Sequence, residues 1–292
     1  MTKSNTGAIL GLLSGATTWG LIWYPLRLLE QDGLAGPSSS LAIFVIALAI
    51  GLPFTWRGLR EFRVGTGLLL GIGLTAGWAN LAYVLGVIHG EVVRVLLLFY
   101  LAPLWTVLLS RGLLGERLRL AGYGVIGLSL AGALIMLWHP DKGMPWPRNN
   151  AEWLALSAGI AFACSNVLSR KAHALSVSAK SLSVWGGVVI VALLVMLAEP
   201  PDGNRAVAAA LDHWPMLVAL GIVLSAVTIF MQYGLTHTPA NQAIVILLFE
   251  LVVAAVSAYF LVNEHLGLRD WIGGAMIVAA SFLSGHMEHD QS

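Results

Sequence analysis

The sequence predicts an all-α integral membrane protein, with ten transmembrane helices arranged as two inverted five-helix repeats around a central cavity. Three observations carry that expectation. Mean hydropathy is +0.81, and 58% of residues are hydrophobic against 11% charged, whereas a soluble domain carries about a quarter charged residues. Ten apolar segments approach the ~20 residues needed to cross ~30 Å of hydrocarbon. Motifs in the first half return in the same order in the second.

Taken in order, the segments are 7–27, 38–56, 64–88, 91–112, 118–138, 152–171, 181–198, 213–235, 240–262 and 267–285. The first follows Lys3 and could be mistaken for a signal peptide. No small-residue cleavage site follows, and the run continues through Trp19, Trp23 and Pro25 to Arg27, so it is expected to be a retained helix. Gly7, Gly11 and Gly15 form one small face of it, and Gly67/Gly71 and Gly73/Gly77 do the same in the third segment. In lipid such faces let backbones approach closely. The fourth opens with Glu91 and Arg94, one turn apart and expected to pair. The sixth holds the single cysteine, Cys164, which leaves neither a disulfide nor a cysteine metal site. The remaining segments are apolar, with their charges gathered at the ends except for Glu250 in the ninth.

Ten spans leave only short connections, with no room for a soluble catalytic or nucleotide-binding domain. An N-terminus in the cytoplasm puts ten Lys/Arg inside (Lys3, Arg57, Arg60, Arg63, Arg111, Arg117, Arg119, Arg170, Lys171 and Lys180) and six outside. The positive-inside rule therefore places both termini in the cytoplasm.

The halves align at three landmarks. Leu13-Ser14-Gly15 through Trp19 to Arg27 matches Leu156-Ser157-Ala158 through Phe162 to Arg170. Tyr83 and Leu97-Leu98-Phe99-Tyr100 match Tyr233 and Leu247-Leu248-Phe249-Glu250. Gly115-Glu116 matches Asn263-Glu264. Five is an odd number, so the second copy enters the membrane from the opposite side, an architecture that recurs in secondary transporters with midplane sites. The expected units are 1–143 and 144–292.

Glu250 is the one acid that lies neither in a loop nor at a segment end. A midplane carboxylate costs roughly 2.5–3.5 kcal/mol on insertion scales and usually faces a cavity or a partner. Its repeat counterpart is Tyr100. Glu250 is read as a ligand for a substrate ammonium or as a proton-coupling group, since burial disfavours its charged form; the competing reading is a packing residue. Trp19, Trp78 and Trp105 lie deeper than the interfacial tryptophans. With Tyr83, Tyr100 and Phe162 they are candidate walls for stacking a side chain or holding a cation, against the plainer alternative of packing. Asn80, Asn166, Gln232 and Gln242 are candidate ligands for the two charged groups of a zwitterion, or interhelical bonding residues. Arg170 and Lys171 read as interfacial anchors, and Pro25 and Pro103 as bending points.

The Trp19–Arg27 region with its counterpart, Leu101-Ala102-Pro103-Leu104, Phe249-Glu250-Leu251-Val252 and the two Gly/Asn-Glu helix ends resemble the EamA-type branch of the drug/metabolite transporter superfamily over nearly the full length. Within it the chain is most similar to bacterial aromatic amino acid exporters of the YddG type. That resemblance rests on the aromatic-rich helices and on His89 with Tyr100-Leu101-Ala102-Pro103. It implies a bacterial inner-membrane exporter with a central substrate cavity. Two departures stand out: Leu251 replaces the proline that commonly follows the glutamate, and Asn263 stands where the first copy has Gly115.

The expected activity is export of amino acids, aromatic and other neutral ones first, by alternating access. An exporter of hydrophobic cations or drugs is the alternative. An enzyme is not expected, because the zinc-helix and serine-elbow motifs and paired midplane carboxylates are missing from the sequence. The expected partners are a small-molecule substrate and membrane lipid; no nucleic acid, cofactor or metal is expected. A monomer satisfies the pattern.

Overall fold

The computed structural model describes residues 6–34, 36–90, 92–138, 146–198, 203–262 and 267–284. Among them the chain is all-helical: α1 (Thr6–Gln31), α2 (Pro37–Thr55), a 3-10 helix (Trp56–Arg63), α3 (Thr66–His89), α4 (Val92–Phe99), α5 (Ala102–Leu114), α6 (Leu120–Leu137), α7 (Asn150–Lys171), α8 (Val177–Ala198), α9 (Gly203–Asp212), α10 (Trp214–His237), α11 (Ala240–Leu247), α12 (Phe249–Val262) and α13 (Leu268–Leu283). Nine described segments are long and apolar enough to cross a membrane, with α4–α5 and α11–α12 each contributing one. The last expected segment is the 16-residue α13, packed on α6.

Local chemistry sets the ends. The Asn149 side chain accepts the Glu152 N–H at 2.9 Å and starts α7. Pro37, whose missing N–H costs nothing in a first turn, opens α2. Gly115 closes α5 in the left-handed region, at φ 70°. Helix α1 continues through Pro25 to Gln31, so the bend expected there does not interrupt it.

Two segments expected as single helices are each broken near the middle. Between α4 and α5 the chain turns at Tyr100-Leu101. Pro103 cannot bond back to the Phe99 carbonyl, and that carbonyl faces Gly159 of α7, where a Cβ would lie 2.6 Å away. The second break falls at Leu248, without a proline. There the Leu251 N–H turns to the Leu248 carbonyl at 3.0 Å, in 3-10 fashion. Leu251 stands where the resemblance puts a proline, and the segment is interrupted all the same.

Packing crosses between the halves in matched pairs. Helix α1 packs on α10 and α7 on α3; α2 on α10 and α3 on α8; α1 on α12 and α7 on α5. Small residues permit the closest approaches, since lipid offers no hydrophobic drive between helices. A Cβ on Gly77 would lie 2.5 Å from the Gly187 carbonyl of α8, whereas nothing lies within 4 Å of one on Gly67. The expected small faces are therefore close contacts at Gly73/Gly77 but not at Gly67. Gly77→Leu should cost about 1–3 kcal/mol by overpacking and lower the unfolding temperature of the purified protein in detergent. Gly67→Leu should leave it unchanged.

Candidate functional site

The two interrupted helices meet at the centre of the bundle. Because α12 begins at Phe249, Glu250 lies in a first helical turn rather than in mid-helix. The positive end of a helix dipole favours a carboxylate there. The Tyr100 hydroxyl, at the other break, donates to Glu250 Oε1 at 2.9 Å. Each break thus brings one member of the pair inward.

Beside this pair is a cavity of about 120 Å³ bounded by Trp19, Phe44, Asn80, Tyr83, Phe99, Phe162, Asn166, Met231, Gln232 and Glu250, among others. Phe99 is the hub of its aromatic wall, with ring centroids 5.0 Å from Tyr83, 5.2 Å from Tyr100 and 5.5 Å from Phe162. Such offset and edge-on contacts hold the rings in fixed orientations. Asn80 Oδ1, Asn166 Nδ2 and Gln232 Oε1 are buried and have no hydrogen-bond partner among the described residues. A buried polar atom left unpaired is costly, so three of them lining one cavity mark a surface suited to a polar ligand.

Of the residues singled out from sequence, Trp19, Asn80, Tyr83, Phe162, Asn166, Gln232 and Glu250 line the cavity. Tyr100 stands behind Glu250 and holds its carboxylate. Trp78, Trp105 and Gln242 lie away from the cavity. Trp78 is two residues, about 200° of helical rotation, from Asn80; it is 38% exposed and its indole N–H donates to Ser157 Oγ at 3.2 Å. Trp105 belongs to α5, which contributes nothing to the lining, and Gln242 precedes the lining residues of its segment. Sequence reasoning missed Phe99, although it sits inside the repeated Leu97–Tyr100 motif, and missed Phe44, Thr228 and Met231, which carry no distinguishing signal.

Charged clusters tie the halves together at both ends of the bundle. Where α4 and α7 begin, Arg94 grips Glu152 with two bonds of 2.7 and 2.9 Å and donates to the Trp146 carbonyl at 2.9 Å. Both side chains are buried. Arg94 was expected to pair with Glu91, which lies outside the described residues; its described carboxylate partner is Glu152. At the opposite end Glu116 accepts from Asn241 Nδ2 at 3.2 Å and from the Ala240 N–H at 3.3 Å, with Arg170 3.9 Å away. Arg170 also donates to the Thr236 carbonyl, and buried Lys180 to the Thr236 hydroxyl. Arg170, expected to reach into the interface, is instead part of an interhelical cluster.

A helical bundle that crosses the membrane many times and encloses a cavity is the build of a membrane transporter. The EamA-like transporter family matches residues 6–138 and 149–285, and the chain belongs to that family. It is 27% identical over 255 residues to an uncharacterized transporter of Archaeoglobus fulgidus, covering 84% of each chain. It is 24% identical over 295 residues to a probable amino-acid metabolite efflux pump of Escherichia coli K12, covering 96% of this chain and 95% of the relative. Protein RarD of Streptomyces exfoliatus is 23% identical over 288 residues, covering 95% and 87%. A solved crystal structure, 20% identical, superposes with a TM-score of 0.73 over 96% of this chain and 99% of its own. That last likeness shows the fold.

Removing one partner of a buried ion pair leaves an uncompensated charge, with a cost on the order of 3 kcal/mol. Arg94→Met should destabilise the protein by that amount in detergent unfolding, and adding Glu152→Met should recover most of the loss. Equal stability of Arg94→Met and the parent would show that the pair does not hold the ends of α4 and α7.

Proposed function

We propose that the chain exports amino acids, aromatic and other neutral ones first, from the cytoplasm across a bacterial inner membrane by alternating access. The observation that carries this reading is the Glu250 carboxylate on a cavity walled by aromatic rings and by three buried amides with unpartnered atoms. The carboxylate suits an ammonium group. Each amide offers both a donor and an acceptor, which serves the carboxylate of a zwitterion as well. Tyr83, Phe99, Phe162 and Trp19 suit an aromatic or aliphatic side chain. The relative described as an amino-acid metabolite efflux pump supports the substrate class.

In this reading residues 1–143 and 144–292 are inverted five-helix units, with α13 completing the tenth span. The matched cross-half packing and the family's match to two successive stretches support that division. Rocking one helix group against the other would release the Arg94–Glu152 and Glu116–Arg170 ties in turn, with bending at the Pro103 break and at Pro25. Glu250 would accept substrate, or a proton, when the cavity opens. The same carboxylate and rings also suit a hydrophobic cation, which keeps drug export as the second reading.

Proteoliposomes of the purified protein should take up labelled phenylalanine above empty-liposome controls, with tryptophan and threonine competing. Glu250→Gln should reduce the rate roughly 10- to 100-fold, the factor that a lost hydrogen bond to a charged group carries, with normal yield and folding. Tyr100→Phe should give a smaller loss, because it removes only the donor behind the carboxylate. Accumulation of a quaternary ammonium dye with no phenylalanine uptake would move the assignment to cation export.

A further inference from the structure

The 3-10 helix Trp56–Arg63 ends the membrane-crossing run Pro37–Arg63. A 3-10 helix has three residues per turn, so side chains at i and i+3 eclipse, and runs beyond three or four residues are uncommon. This eight-residue run therefore sorts its side chains onto three edges. Arg57, Arg60 and Arg63 share one edge; Trp56, Leu59 and Phe62 share the next; Gly58 and Glu61 share the third.

The third edge fixes the element to the bundle. Gly58 sits against the first turn of α8, where a Cβ would lie 2.5 Å from the Ala179 nitrogen. Glu61 accepts the Ser176 N–H at 2.7 Å just before α8 begins. The one acid of the element is thereby turned away from the arginines. On the second edge Phe62 packs against the core, while Trp56 and Leu59 are 47% and 51% exposed.

The first edge is left to solvent or lipid. All three arginines are exposed, and none forms an ion pair with a carboxylate among the described residues. The guanidinium groups of Arg57 and Arg60 lie 5.7 and 5.6 Å from the Trp56 ring centre. Successive arginines rise only about 6 Å apart on such a helix, so their like charges repel until an anion lies along the edge. Guanidinium forks match phosphate oxygens with paired hydrogen bonds. The exposed indole and Leu59 beside them add an apolar strip that a free inorganic anion would not use but an acyl chain would.

We propose that this element is a binding site for an anionic phospholipid, its phosphate on the Arg57–Arg60–Arg63 edge and its upper acyl chain against Trp56 and Leu59. The site is independent of the transport cavity and of what that cavity carries.

The purified full-length protein in a neutral detergent would receive phosphatidylglycerol, phosphatidylcholine or inorganic phosphate. Native mass spectrometry would count retained lipid, and the unfolding temperature would be read in parallel. Phosphatidylglycerol should be retained and should raise the unfolding temperature, and the other two should do neither. The triple variant R57Q/R60Q/R63Q should lose both effects, while R111Q/R117Q, two exposed arginines elsewhere, should keep them. Arg60→Gln alone keeps the test usable if the triple variant folds poorly. It should weaken retention about fivefold, the share of one arginine near an anionic surface. Undiminished phosphatidylglycerol binding in Arg60→Gln or in the triple variant would overturn the proposal. An equal response of the parent to inorganic phosphate would overturn the lipid as the source.

Discussion

A carboxylate inside a hydrocarbon layer must be satisfied by the protein, because no bulk water is there to do it. That constraint organises the centre of this molecule. Glu250 is met by the Tyr100 hydroxyl and by its position in the first turn of α12. Neither would exist if the two interrupted segments ran straight. The break between α4 and α5 in turn needs room, which Gly159 supplies by letting α7 pass beside the freed Phe99 carbonyl. The aromatic wall follows from the same geometry, since Phe99 ends α4 and is turned inward among Tyr83, Tyr100 and Phe162.

The ends of the bundle are built on a different principle from its middle. The centre leaves three cavity-lining amide atoms without partners, whereas the ends pair their charged groups, Asn241 Oδ1 alone of the amides there being unpartnered among the described residues. Glu152 has Arg94, the Arg148 N–H and Asn149. Glu116 has Asn241, Arg170 and the start of α11. Cross-half ties at both ends with unfilled polar capacity between them fit a carrier that exchanges end contacts while handling a polar guest.

How much of this was legible in the sequence depended on how unusual each residue was in its setting. Glu250 stood out because it was the sole mid-span acid, and the repeat then pointed to Tyr100, Trp19 and Phe162. Asn80 and Asn166 stood out as polar residues in apolar runs. The helix breaks were hidden because hydropathy is continuous across Tyr100 and Leu248. Pro103 marked one of them, and nothing marked the other. Trp78 was misplaced because depth in the membrane says nothing about which way a residue faces. In a uniformly apolar helix the periodic contrast that would orient it is absent. Glu152 as a partner of Arg94 was not legible, because one helical turn is visible in sequence and a partner 58 residues away is not.

That separation bears on how the chain is made. Ribosomes deliver Arg94 to the membrane well before Glu152 has been synthesised. During that interval the Glu152 carboxylate is not yet available to the guanidinium group at the start of α4. The segment is therefore expected to linger at the membrane surface or beside the insertion machinery, its long side chain reaching for water. It would settle only once α7 emerges. The α4–α7 junction can thus close only after the second half has begun to enter, so this tie joins the two halves in the order of their synthesis.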